Sequence, residues 1–223
     1  MDAILPILIF GGVIVLAGGA FYWAHVLQKK RREAFEATAE SMGLVFFPDG
    51  NQDLLTQLGD FKLFNQGRSR KMRNLIQGDS GEVSIAIFDY QYTTGSGKQS
   101  HTHVQSVVAL QSNEIVCPDF TMRPESMFDR VGSALGFQDI DFDSHPEFSK
   151  RFVLKGSNEP AIREFFTQIV LDFFAAQPGI SVEAQSGSLF FYRSGKKIKP
   201  DEVKDNLGQA YEVFGMLAEA QDA

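Results

Sequence analysis

The sequence has a single cysteine, Cys117, and a single tryptophan, Trp23. One cysteine cannot form an internal disulfide and cannot supply a four-cysteine zinc site, and so low a count fits a reducing compartment. Lysine and arginine are also in deficit, because 21 of them stand against 28 acidic residues for a formal net charge of −7. This balance counts against nucleic acid as a partner, since domains that bind it are usually basic.

Recognised catalytic motifs are missing as well. The chain has no Gly-x-Ser-x-Gly elbow, no His-Glu-x-x-His motif and no Gly-x-Gly-x-x-Gly fingerprint. Gly97-Lys98 resembles the end of a phosphate loop, but Tyr92 stands where that loop needs glycine and Gln99 where it needs serine or threonine. The sequence therefore indicates no cofactor, and it favours a binding domain over an enzyme.

Charged residues are absent from residues 3–27, which form a continuous apolar run. A bilayer core about 30 Å thick needs about 20 apolar helical residues, so the run is long enough to cross it. We therefore predict a transmembrane anchor over residues 1–28, a juxtamembrane helix over residues 29–43 and a domain over residues 44–223, with a seam near 144–149 if that domain has two lobes. A cleaved signal peptide is the alternative, but such peptides begin with positive charge and have a shorter apolar core.

Basic residues follow the apolar run at once, in the order Lys29, Lys30, Arg31 and Arg32. The positive-inside rule then predicts a single-pass protein with its N-terminus outside and its C-terminal domain in the cytoplasm. Tyr22 and Trp23 fall near the cytoplasmic end of the run, where aromatic side chains favour the headgroup level of a bilayer. The lipid bilayer is thus the first predicted partner.

The rest of the chain combines hairpin patterns with amphipathic helices. Alternating apolar residues predict a hairpin of Glu82–Tyr92 with His101–Leu110, both of whose sides are partly covered. Apolar residues at helical spacing predict helices over Pro124–Leu135, Glu159–Gln177 and Pro200–Ala220. The predicted fold class is α+β, with an N-terminal transmembrane helix followed by a cytoplasmic domain of antiparallel hairpins packed by amphipathic helices.

A basic segment interrupts the otherwise acidic domain. Its members, in a predicted loop after Gly67, are Arg68, Arg70, Lys71 and Arg73. A Lys or Arg near an anionic bilayer surface contributes about 1 kcal/mol, so four of them could attract anionic lipid headgroups. The alternative is a solvated turn whose charges pair with acids elsewhere. With the four basic residues after the apolar run, this segment forms the predicted membrane-surface site.

Two histidines offer a weaker candidate for a metal site. His101 and His103 are two apart on a predicted strand, so their side chains point the same way, and the facing strand offers Asp89. Two histidines without a fixed third ligand are thin support for zinc. Exposed histidines beside a polar loop explain the spacing equally well, and we predict no bound metal.

An acidic stretch offers a second weak candidate. Asp139, Asp141 and Asp143 alternate along the chain, and Glu147 follows them. A calcium-binding EF-hand needs glycine at its sixth position and glutamate at its twelfth, and this stretch has neither there. The alternation instead indicates a solvated acidic rim with apolar side chains turned inward, although a hydrolytic or metal site stays open as the alternative.

Two motifs together resemble a bacterial group of uncharacterised, membrane-anchored proteins of similar length. The first is Phe88-Asp89-Tyr90 followed by the run from Tyr92 to Lys98, and the second is the run from Asp139 to Phe148. The resemblance covers most of the chain after the apolar run. It implies a bacterial inner-membrane protein and brings no catalytic or ligand residues with it.

The sequence thus predicts a membrane-tethered cytoplasmic domain that binds a protein or anionic lipid headgroups at the inner-membrane surface. A membrane-tethered hydrolase or metal-dependent enzyme is the alternative, using the side of the hairpin that carries His101 and His103 or the segment Asp139–Glu147. A concave cluster of those groups would favour the enzyme, and their separation would favour the binding domain.

Overall fold

The computed structural model describes residues 4–113, 116–125 and 139–220, and their side chains apart from those of residues 4–17, 20 and 24. Its strands are β1 (Val45–Phe47), β2 (Arg68–Ser80), β3 (Val83–Thr94), β4 (His101–Gln111), β5 (Phe120–Pro124), β6 (Phe152–Gly156), β7 (Ser181–Gln185) and β8 (Ser188–Tyr192). Its α-helices are α1 (Ile4–Ser41), α2 (Gln52–Gln57), α3 (Pro146–Ser149), α4 (Glu159–Phe165), α5 (Gln168–Ala175) and α6 (Val203–Ala220).

All eight strands form one antiparallel sheet in the order β1-β2-β3-β4-β8-β7-β5-β6. One side, the helix-covered face, packs against the second half of α1 and against α3 to α6. The other side, the loop-covered face, packs over β2, β3, β4 and β8 against α2 and the segment that follows it. The described chain is therefore α+β, with an apolar core on each side of a single sheet.

The alternation along β3 explains why both faces are apolar. Ile85 and Ile87 are buried on the helix-covered face, whereas Phe88 and Tyr90 are buried on the loop-covered face. β4 pairs with β3 along its whole length, so its side chains divide in the same way. The hairpin predicted from the sequence, with both sides covered, is confirmed.

The helix predicted over Glu159–Gln177 is two helices in the structure. Phe166 leaves helical geometry between α4 and α5, and Thr167 is extended at the N-cap of α5. The break lets Phe166 enter the core and leaves Ile169 68% exposed, although the sequence pattern placed both of them inside.

The structure contradicts the prediction of a transmembrane anchor over residues 1–28. Within the part of the chain that is described, no helix combines enough length with enough apolar character to cross a bilayer. α1 is a single helix of 38 residues that continues past Gln28 without a break, and its charged second half lies on the sheet with Phe35 and Ala39 buried. The predicted single-pass topology and inner-membrane location are wrong on the same finding.

The remaining boundaries stay predictions. β5 precedes the suggested seam near 144–149, and its sheet neighbours β6 and β7 both follow it. Of the helix predicted over Pro124–Leu135, Pro124 belongs to β5, Glu125 is a single described residue, and the rest lies outside the described residues.

Phe166 tests how the helix-covered core is held together. Its ring centroid lies 5.0–6.3 Å from those of five other phenylalanines. We expect Phe166→Ala to lower the free energy of unfolding by about 3–5 kcal/mol, because loss of a buried ring leaves a cavity that the surrounding core fills only in part. Chemical denaturation measures this change. Ile169→Ala is the control, because the Ile169 side chain is exposed, and it should lower the free energy of unfolding by less than about 1 kcal/mol. Similar losses in both variants would contradict this packing.

Candidate functional site

Asp89 places a carboxylate inside the protein, on the helix-covered face of β3. It is only 5% exposed and lies opposite Ser106 of β4 and Arg73 of β2. Asn74 donates from Nδ2 to Asp89 Oδ2 at 2.8 Å, and the Ser106 hydroxyl donates to Asp89 Oδ1 at 2.5 Å. A buried carboxylate persists only when such donors replace water, so this position is built around its charge.

Arg31 of α1 supplies the positive charge that faces Asp89. Its Nε lies 3.3 Å from Asp89 Oδ2 and its Nη2 lies 3.1 Å from Oδ1, so the side edge of the guanidinium meets the carboxylate in a fork. Nη2 also donates to the carbonyl of Ile198 at 2.8 Å, and the Ile198 amide donates to the Ser106 hydroxyl at 2.9 Å. This network, called the Asp89 network below, joins α1, β2, β3, β4 and the segment before α6.

A cleft of about 310 Å³ opens beside the Asp89 network. Besides Arg31 and Asp89, the charged side chains that line it are Lys71, Arg73 and Lys197. Lys197 Nζ lies 3.7 Å from Asp89 Oδ2. Lys71 and Arg73 are exposed, and their side chains have no hydrogen bond or ion pair with any residue that the structure describes. Four cations therefore meet one carboxylate in this cleft, called the basic cleft below.

The basic segment predicted as a loop lies in β2 and divides into two pairs. Arg68 donates to the Gly95 carbonyl and, at 3.1 Å, to the Ser100 hydroxyl. Arg70 donates to backbone carbonyls that include Asn65 O at 2.8 Å. A register shift between Arg68 and Lys71 directs the second pair, Lys71 and Arg73, to the basic cleft. Sequence alone did not show this division, because the register shift depends on how β2 pairs with β3.

The four basic residues after the apolar run also have different roles. Lys29 lies 3.8 Å from Glu33 on the exposed side of α1, and Lys30 is exposed. Arg32 pairs with Asp49 at 3.0 Å, at a site where the Asp49 side chain is 85% exposed. Arg31 alone enters the Asp89 network. The prediction that all four face lipid headgroups stays untested, and three of them have protein partners.

Exposed aromatic residues lie on α1 just before the basic cleft. Phe21, Tyr22 and Trp23 are exposed, as is Leu27, which lines the cleft itself. Trp23 precedes Leu27 by four residues, so the two lie on the same side of the helix one turn apart. The predicted interface aromatics are thus next to the cleft that holds the predicted basic residues Lys71 and Arg73.

The suggested metal set of His101, His103 and Asp89 is not assembled. His103 lies opposite Tyr92 and stacks on its ring at 4.7 Å between centroids, on the loop-covered face. Asp89 is three residues from Tyr92, so its side chain is on the other face of the sheet. Burial, and then the charge of His101, lowers the pKa of His103. Among the described residues, no three His, Cys, Asp or Glu side chains are grouped so as to hold a metal ion.

The acidic stretch after residue 138 has a structural arrangement rather than a shared site. Asp139 Oδ1 accepts from the Leu154 amide at 2.8 Å, and burial raises the pKa of this carboxyl. Asp141 and Asp143 are exposed, while Ile140 and Phe142 between them are buried in the core. The stretch is the acidic rim that its alternation indicated.

The comparisons with known proteins concern the fold. Neither a protein-family model nor a curated protein matches the sequence. A solved structure, the crystal structure of the mycobacterial trehalose monomycolate transport factor A, TtfA, is similar with a TM-score of 0.59 and 12% sequence identity. The similarity covers 86% of this chain and 93% of that one. At this identity it shows a shared fold and nothing about shared residues.

The Asp89 network can be tested by removing one charge. Asp89→Asn should lower the free energy of unfolding by about 2–4 kcal/mol, because Arg31 is then left half-buried without its counter-charge. Asp49→Asn is the matched control, since it removes the partner of the neighbouring Arg32 at an exposed site and should cost less than about 1 kcal/mol. Urea denaturation of the two variants measures both; equal losses would show that the buried network adds nothing beyond a surface ion pair.

Proposed function

We propose that this protein is a binding domain whose basic cleft takes the anionic headgroup of a lipid. The observation that supports it is the pair Lys71 and Arg73, two exposed cations in a concave site without protein partners among the described residues. Asp89 already holds Arg31 and approaches Lys197, so it leaves the charge of this pair uncompensated. A phosphate group would supply the missing negative charge.

The surroundings of the cleft favour a lipid over a free anion. Leu27 lines the cleft, and Trp23 is exposed one helical turn away. Tryptophan and tyrosine favour the headgroup region, where one end of the ring is in apolar surroundings and the other in water. A headgroup in the cleft would therefore place its acyl chains beside the exposed aromatic residues of α1.

The structural neighbour is compatible with this proposal. TtfA is described as a transport factor for trehalose monomycolate, and its fold covers most of this chain. A lipid-related binding role agrees with that description, although the low identity transfers no residue. The hydrolase or metal-enzyme alternative gains no support from the positions of His103 and Asp139, because each is held by its own neighbours.

Vesicle binding by the full chain tests the proposal with a matched pair of double variants. Lys71→Gln/Arg73→Gln removes two charges from the cleft, and Arg68→Gln/Arg70→Gln removes two from the same strand outside it. At about 1 kcal/mol per residue, the first variant should bind vesicles that contain phosphatidylglycerol roughly thirtyfold more weakly than the unmodified protein. The second should bind within a few fold of it.

Neutral phosphatidylcholine vesicles and a salt series complete this experiment. Binding through the cleft should rise with the phosphatidylglycerol content and weaken at high salt, because salt screens exposed charges. If both double variants lose affinity equally, the attraction depends on net charge and the cleft is not the site. If the unmodified protein binds neutral and anionic vesicles alike, the headgroup proposal is wrong.

A further inference from the structure

The loop-covered face becomes polar where it passes from β8 to β7, β5 and β6. There Glu183 lies opposite Thr121, and Ser181 lies opposite Tyr192. Glu183 is 1% exposed, and Ser181 and Tyr192 are also buried. Arg123 of β5 belongs to the same face, because it is two residues from Thr121. Charged and hydroxyl groups thus occupy a part of the sheet where a purely structural core would be apolar.

Glu183 has a structural role that satisfies its charge. Its two carboxylate oxygens accept from the backbone amides of Lys62 and Leu63 at 2.6 and 2.9 Å. Burial raises the pKa of this carboxyl, against the effect of the two amide hydrogen bonds and of the nearby Arg123 and Lys62. Glu183 therefore ties the segment after α2 to β7, and its hydrogen bonds are made to that segment.

Arg123 is not satisfied in the same way. Its guanidinium is close to Tyr192 and Tyr92, yet its Nε and Nη2 are buried and have no hydrogen-bond partner among the described residues. These two nitrogens form one edge of the guanidinium, the same edge by which Arg31 holds Asp89. The buried hydroxyl of Ser181 also has no partner in the described part of the chain. Leaving such buried donors unpaired is costly. The Nε–Nη2 edge of Arg123 has the geometry that binds two oxygens of one carboxylate or phosphate.

We propose that Arg123 and Ser181 form a second binding site, for the carboxylate or phosphate of a small organic ligand. The oxyanion takes the Nε–Nη2 edge of Arg123 and accepts from the Ser181 hydroxyl. Tyr92 and Tyr192 are near the guanidinium of Arg123, and their rings suit an aromatic or otherwise flat organic body. Lys155, which lies opposite Thr121, adds positive charge to the same face.

This site is independent of the basic cleft. Arg123 and Tyr92 lie on the loop-covered face, whereas Asp89 and Arg73 lie on the helix-covered face of the same sheet. The sheet separates the two sites, so a change at one leaves the charges of the other in place. Failure of lipid binding would not count against the Arg123 site, and the reverse also holds.

Nitrogen-15 NMR of the arginine Nε–Hε groups in the full chain tests the site with three probes of similar shape. Benzoate and phenyl phosphate present the two candidate oxyanions, and benzamide presents the same ring without a charge. We expect one of the two acids to shift the Arg123 signal in a saturable way, and the acid that does so identifies the oxyanion. Benzamide should not shift it.

Substitutions distinguish the fork from simple charge. Arg123→Lys keeps the charge but removes the paired donors, and it should weaken binding of the active probe by roughly tenfold or more. Lys71→Gln/Arg73→Gln should bind it as the unmodified protein does. The proposal is overturned if neither acid moves the Arg123 signal, if benzamide binds as well as the acids, or if Arg123→Lys binds equally tightly. The first two outcomes need no variant, so misfolding of Arg123→Lys would not obscure the result.

Discussion

Asp89 brings a negative charge into the contact between α1 and the sheet, and removing a carboxylate from water costs several kcal/mol unless other groups replace the water. Arg31, Asn74 and Ser106 do so here, from three different elements. Because Arg31 is on α1, the charge can be satisfied only when that helix lies at one position along the strands. The same interaction places Ile198 and the start of the segment before α6. The position of the basic cleft follows from this constraint.

Buried charged groups are paired differently on the two faces of the sheet. On the helix-covered face every Asp89 oxygen has a donor, and the excess positive charge is exposed in the basic cleft. On the loop-covered face Glu183 accepts hydrogen bonds from backbone amides, while one edge of Arg123 has no acceptor among the residues that the structure describes. Both proposed sites therefore arise where the positive charges exceed what the neighbouring carboxylate can balance.

Period-two alternation made the β3–β4 hairpin and both of its faces predictable from the sequence, and it correctly turned Ile140 and Phe142 inward. The same local reasoning failed where partners are distant in the chain. Arg31 and Asp89 are 58 residues apart, so the composition of the basic flank could not show that one of its members is in an ion pair. The pattern of the apolar run did not show that the second half of α1 packs on the sheet. The break at Phe166 was not predictable either, because it depends on the core residues that surround the helix. The prediction of a loop over Arg68–Arg73 was wrong, because these residues lie in β2 and the register of that strand determines which side chains reach the cleft.

Arg123 could have been noticed in the sequence only as an arginine on a short apolar strand, and nothing nearby indicated which residues face it. Tyr192 and Ser181, which lie on the same face of the sheet, come from strands more than 55 residues later in the chain, and antiparallel pairing places those strands beside one another and beside β5. The alternation of a strand likewise predicted a shared direction for His101 and His103, but it did not predict the stacking of His103 on Tyr92. Side-chain direction is a local property, whereas its surroundings depend on the whole fold.

The ion pair of Arg31 and Asp89 fixes α1 on the sheet, and a double-mutant cycle measures that pair directly. The cycle compares Arg31→Gln, Asp89→Asn and the combined variant by urea denaturation, with a parallel cycle for Arg32 and Asp49. The account predicts a coupling energy of about 1.5–3 kcal/mol for the buried pair and at most about 1 kcal/mol for the exposed one. A coupling energy between Arg31 and Asp89 no larger than that between Arg32 and Asp49 would contradict it.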